Sequence, residues 1–127
     1  MRNFKELRVW DEAHKLTLQL YQDTEDFPRK EMFGLTSQIR RAAASIGANL
    51  AEGCGRQSEG EFSRFIQIAM GSASELEYHL LLSRDLEFLT KSAYERAQTQ
   101  LTRVRKMLSS LLQTVQSSRT STAKAGS

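Results

Sequence analysis

Residues 91–117 read KSAYERAQTQLTRVRKMLSSLLQTVQS, and their spacing decides the fold class. Tyr94, Ala97, Leu101, Val104, Leu108, Leu111 and Val115 recur in alternating steps of three and four. That is the a/d pattern of a helix presenting one apolar seam to its neighbours. A strand would alternate in steps of two, and no such alternation competes here. The same periodicity recurs upstream. Val9, Ala13, Leu16 and Leu20 predict a first helix over about 6–24, closed by Phe27-Pro28. Leu35, Ile39, Ala42, Ile46 and Leu50 predict a second over 29–53, with Gly53-Cys54-Gly55 as its break. Ser58 with Glu61 three residues later reads as a capping box opening a third helix. Phe62, Phe65, Ile66, Ala69, Ala73, Leu76 and Leu80 carry its apolar face to about 86.

Four amphipathic helices joined by short connections predict an all-α fold, an antiparallel up-down-up-down four-helix bundle over residues 1–117. The remaining residues, 118–127, are Ser/Thr-rich without periodicity and are expected to form a disordered tail. A chain of 127 residues and 14.4 kDa has room for one such domain. No apolar run is long enough for a transmembrane helix, and MRNFKELRVW contains no secretory apolar stretch. A single cysteine excludes an internal disulfide framework. A cytoplasmic protein is expected, with no membrane partner.

The net charge of +3 conceals an uneven distribution. Residues 1–95 hold 12 Lys/Arg against 15 Asp/Glu, whereas residues 96–127 hold six basic residues and no acid. A basic fourth helix suggests contact with a polyanion. Arg96, Arg103, Arg105 and Lys106 are the candidate nucleic-acid-binding residues, joined by Arg40, Arg64 and Arg84. Contacts of this kind grip phosphates and carry little base information, so binding to RNA or DNA would be non-sequence-specific. The competing expectation is a protein-interaction scaffold whose basic residues serve solubility.

The second helix has two non-polar sides. Beside its apolar stripe lie the small residues Ala43, Ala44, Gly47, Ala48, Ala51 and Cys54, which would let another backbone come close and suggest a neighbouring subunit. A narrow polar band separates the two sides: Gln38, Arg41, Ser45, Asn49, Glu52 and Arg56. Bordering the core, these residues are expected to be partly buried and to form a structural network in which Glu52 pairs with Arg41 and Arg56.

No catalytic constellation emerges, and an enzyme is not expected. His14 and His79 are the only histidines, and Glu75 with His79 at i, i+4 reads as a polar helix-surface pair. Zinc would require more ligands, so neither a metal nor a cofactor is expected. Gly53-x-Gly55 lacks the strand and the lysine of a phosphate loop.

Particular residues then resemble a known family. The match runs through Leu7-Arg8-Val9-Trp10, Ala13, Phe27-Pro28, Glu31, Gly34-Leu35 and Gln38. It is densest at Arg41-Ala42, Ser45-Ile46, Asn49, Ala51-Glu52-Gly53 and Arg56, and resumes at Phe62, Phe65, Ala69, Gly71-Ser72, Glu75 and Glu77. These residues resemble the bacterial four-helix-bundle proteins first noticed as products of intervening sequences in 23S rRNA genes. The accessory proteins of diversity-generating retroelements are similar in fold. Two positions depart from the pattern: Gly47 stands where the family commonly has proline, and Cys54 where it has a bulky residue. The resemblance implies a non-enzymatic bundle assembled as a homopentamer. It also implies association with nucleic acid, or with a protein such as a reverse transcriptase.

Overall fold

The computed structural model describes the backbone of residues 2–126 and the side chains of residues 2–118. It contains four α-helices: α1 (Arg8–Asp23), α2 (Leu35–Cys54), α3 (Glu59–Asp85) and α4 (Lys91–Gly126). Short 3-10 turns at Phe4–Glu6 and Arg29–Glu31 precede α1 and α2. No strand occurs among the described residues. Each helix packs on its neighbours in sequence, and α1 also packs on α4, closing the ring of four. Cross-helix contacts show the alternating direction. Ser45 meets Ser72 between α2 and α3, Glu77 meets Arg105 between α3 and α4, and Asp23 at the end of α1 meets Arg96 near the start of α4.

The core is the set of stripes read from the sequence. Leu16, Leu20, Ile39, Ile46, Leu50, Phe62, Ile66, Leu76, Leu80, Leu101, Val104 and Leu108 are completely buried. Each such side chain contributes roughly 1.5–3 kcal/mol by leaving water. Phe65, Tyr94 and Leu111, also on the expected stripes, are half-buried at the margins. At one end, the Phe27 and Phe88 rings from the first and third connections lie 5.6 Å apart and plug the bundle.

The helix boundaries follow local chemistry. The Ser58 hydroxyl accepts the Glu61 N–H at 3.1 Å, capping the start of α3. At its other end, α3 closes with a paired-turn motif. Phe88 N–H donates to the Ser83 carbonyl, and Glu87 N–H to the Arg84 carbonyl. The motif places Glu87 at φ 62°, a left-handed conformation that glycine usually occupies. Helix α2 ends at Cys54 with Gly55 as its cap, within the expected Gly53-Cys54-Gly55 break, but it starts at Leu35 and not at 29, because a 3-10 turn occupies Arg29–Glu31. Helix α4 continues to Gly126, past the end expected near 117. No glycine or proline lies between Lys91 and Lys124 to stop it. The reading of 118–127 as a separate tail otherwise falls outside the described side chains.

Near the opposite end, residue 2 fastens the α2–α3 connection. Arg2 N–H donates to the Cys54 carbonyl at 3.1 Å. Its guanidinium pairs with Glu59 and sits 4.3 Å from the centre of the Phe62 ring.

Candidate functional site

The polar band of α2 separates into a central cluster and a solvated remainder. At its centre, the Ser45 and Ser72 hydroxyls lie 2.8 Å apart. Asn49 Nδ2 donates to the Ser45 carbonyl at 2.8 Å and to the Ser45 hydroxyl at 2.9 Å. These half-buried groups tie α2 to α3. The larger members are not buried as expected: Gln38, Arg41, Glu52 and Arg56 are all exposed. Glu52 pairs with Arg56 at 2.6 Å, while Arg41 stands apart from both, so the expected Arg–Glu–Arg network reduces to one surface pair. The reason is geometric. Side chains this long at the margin of a two-helix seam reach past the neighbouring helix into water.

The seven candidate cations divide in the same way. Arg40 Nε donates to the Thr24 hydroxyl at 3.0 Å and its Nη2 to the Tyr21 carbonyl at 3.2 Å, while its guanidinium lies 4.7 Å from the centre of the Tyr21 ring. It therefore satisfies the C-terminal end of α1, where orphan carbonyls and the helix dipole favour a cation. Arg96 pairs with Asp23 at 2.8 Å, on a carboxylate only 9% exposed that also accepts from Gln19. Both belong to the fold, which removes them from the row of free cations expected from the sequence. Arg84 pairs with Asp85 and lies over the Tyr94 ring. Arg103 is 3.6 Å from Glu12, and Arg105 pairs with Glu77. Only Arg64 and Lys106 of the seven are exposed without an ion pair among the described residues.

Two shallow grooves lie along α4. One, of about 480 Å³ between α3 and α4, is lined by Ser74, Glu77, Thr102, Arg105, Lys106 and Ser109, with Met70 at its floor. The other, of about 460 Å³, runs past Gln98, Thr99, Arg103 and Met107 and shares Thr102 and Lys106 with the first. The two grooves adjoin at Thr102 and Lys106, and their linings together carry Arg103, Arg105 and Lys106.

The small side of α2 meets α1 instead of standing free along its whole length. A Cβ at Gly47 would lie 3.3 Å from Trp10 Nε1, so this glycine makes room for the indole of its own chain. Ala43 and Cys54 are buried. Ala44, Gly47, Ala48 and Ala51 instead line an apolar groove of about 330 Å³ together with Trp10, His14, Thr17 and Tyr21. Sequence reading missed a second apolar feature. Phe33 is 94% exposed and its neighbour Met32 58%. They sit on an ordered corner, where Gly34 N–H donates to the Glu31 carbonyl and the Glu31 carboxylate accepts the Leu35 N–H at 3.1 Å. Their neighbours are ordinary loop residues, so no periodicity marks the pair.

Cys54 is buried beneath the Arg2 strap, and burial pushes its thiol above the usual range despite the opposing pull of the Arg2 charge. His79 Nε2 lies 3.2 Å from a Glu75 carboxylate oxygen. Among the described residues no group of three His, Cys, Asp or Glu side chains is arranged to hold a metal ion. No described helix is long and apolar enough to cross a membrane.

Comparison with known proteins fits this architecture. One solved structure, described as a protein of unknown function from the S23 ribosomal protein family of Bacteroides thetaiotaomicron, superposes with a TM-score of 0.74. It is 30% identical over 82% of this chain and 97% of its own. No curated protein matches the sequence. The family model for the 23S rRNA-intervening sequence protein matches residues 5–110, nearly the whole bundle, and the chain belongs to that family.

Proposed function

We propose that this chain is a non-catalytic assembly unit of the cytoplasm, copies of which associate into a ring that binds nucleic acid or a ribonucleoprotein without reading sequence. What supports the assembly is the presence on one molecule of both an open apolar groove on α1–α2 and Phe33, an almost fully exposed phenylalanine on a hydrogen-bonded corner. Exposed apolar surface of this kind marks interaction sites. A protrusion and a groove at different places on one molecule make a heterologous contact, which closes into a ring when the rotation permits. Five copies is the number that the family resemblance implies. The grooves along α4 would then be repeated around the assembly, multiplying a modest positive field.

Two measurements test this reading. Sedimentation at micromolar concentration should show an oligomer for the native chain and a monomer for Ala48→Arg, which puts a charge in the groove from an exposed position. A monomeric native chain would overturn the assembly. Fluorescence anisotropy with generic RNA and DNA should show binding at about 50 mM salt that falls steeply by about 200 mM. Replacing Arg103, Arg105 and Lys106 with Gln should weaken it, and unchanged affinity would remove the proposed contact.

A second reading, a scaffold for a partner protein such as a reverse transcriptase, is favoured by the internal pairing of the α4 arginines. Stoichiometric co-purification that survives nuclease treatment would support it over the first.

A further inference from the structure

We infer that the groove between α3 and α4 is a phosphodiester-binding site in which Glu77 occupies the place of a phosphate. The inference rests on the nucleic-acid part of the function proposed above and assigns it a position and a control. Arg105 is the cation best placed to grip a phosphate there, yet its Nη1 lies 2.5 Å from Glu77 Oε2 and its Nη2 3.4 Å from the Ser74 hydroxyl. Gln98 Nε2 approaches the same Glu77 oxygen at 3.4 Å. A carboxylate and a phosphate offer a guanidinium fork the same kind of paired oxygens. The N–H donors that Arg105 would present to a phosphate are thus already occupied by the chain's own acid and by the Ser74 hydroxyl.

The rest of the groove suits a phosphate chain. Ser74, Thr102 and Ser109 supply hydroxyls, and Lys106 supplies an ammonium with no ion-pair partner among the described residues. Lys106 and Thr102 continue into the outer groove beside Arg103, so successive phosphates could be followed along α4. The Arg105–Glu77 pair is about two-fifths exposed on both sides. It is therefore a weak latch, since surface pairs contribute little and exchange readily with solvent ions. A single anion would not displace it to advantage, but a polyanion that also engages Lys106 and Arg103 would. The site favours long phosphodiester chains over isolated phosphates.

The test is Glu77→Gln in the full-length protein, with fluorescein-labelled oligouridylate as the probe at about 50 mM salt. Any lost acid raises the net charge, so the control is Glu61→Gln. Glu61 lies 16 residues away on the same helix, roughly 24 Å at 1.5 Å per residue and beyond the screening length of about 10 Å near 0.1 M salt. Glu77→Gln should bind on the order of threefold to fivefold tighter than the native chain, the size of one surface ion pair that no longer has to be broken. Its salt slope should steepen by about 0.7, one further contact to a single strand. Adding Arg105→Gln should cancel the gain. Equal affinities for the Glu77 and Glu61 variants, with the native chain still binding, would overturn this site and leave nucleic-acid association standing. No binding by any of the proteins would overturn both.

Discussion

Substituting alanine at two helical glycines tests the close packing of α2 against α3. Both Gly53 and Gly71 lie inside helices, in α2 and α3 respectively. Alanine favours a helix interior over glycine by roughly 1 kcal/mol, a gain complete at Gly71 and smaller at Gly53, the last residue but one of α2. Their surroundings differ. A Cβ at Gly71 meets nothing within 4 Å, whereas one at Gly53 would lie 2.8 Å from Phe65 Cβ and 2.9 Å from Phe62 Cδ1. Carbon atoms in comfortable contact are about 3.5–4.0 Å apart, so α2 and α3 must separate locally by somewhat under 1 Å. Phe62 is completely buried and cannot swing away. Overpacking of this kind costs about 1–3 kcal/mol. The smaller helix gain at Gly53 acts in the same direction as the larger steric cost, so both place Gly53→Ala below Gly71→Ala in stability. With a urea slope of about 1–3 kcal/mol/M, the two unfolding midpoints should differ by on the order of 1 M, Gly71→Ala being the more stable. Circular dichroism at one fixed, low protein concentration measures this without a contribution from assembly. Coincident midpoints would refute the argument that Gly53 is needed for the approach of the two helices.

Four further expectations follow from local features. Glu87→Gly should stabilise by roughly 0.5–1 kcal/mol, seen as a Tm raised by a few degrees, because glycine occupies φ 62° without the cost a side chain incurs. Ser58→Ala should destabilise by about 1 kcal/mol in the same melt, through loss of the bond to Glu61 N–H. Cys54 should resist a thiol reagent at pH 8 in the folded protein and react at once in concentrated urea. Because its pKa is raised on folding, its contribution is complete below the unfolded pKa and is lost as pH climbs through the folded one. Stability in the native chain should therefore fall more steeply above about pH 8.5 than in Cys54→Ala.

The sequence made the helices legible because period and burial are one signal. Val9, Ala13, Leu16 and Leu20 fall on one face by counting alone, and all four are buried. The Ser58 cap was legible because both partners lie within one turn. What the sequence did not show depends on which helix faces meet. Arg96 finds Asp23 across 73 positions and Arg103 finds Glu12, so a charge run that looks unopposed along the chain is opposed in space. Gly53 reads as a helix breaker in a list of residues and as a point of contact once Phe62 and Phe65 lie against it. A helical wheel places Arg41 and Glu52 near the core but not how far their side chains extend past α3. Glu87 gives no warning of its left-handed backbone, since that conformation is imposed by the bonds of the turn around it.

The fastening at Arg2 bears on the order in which the chain can assemble during synthesis. Its ion-pair partner Glu59 lies 57 positions later, and Phe62 later still. When α1 and α2 have left the ribosome and can already pair, the Arg2 backbone can reach the Cys54 carbonyl at the end of α2, but its guanidinium has neither Glu59 nor Phe62 to hold, because the start of α3 is still unmade. The Arg2 side chain is thus among the last groups to settle. Its closure of so long a loop should add little to the early folding barrier, and its interactions should chiefly slow unfolding.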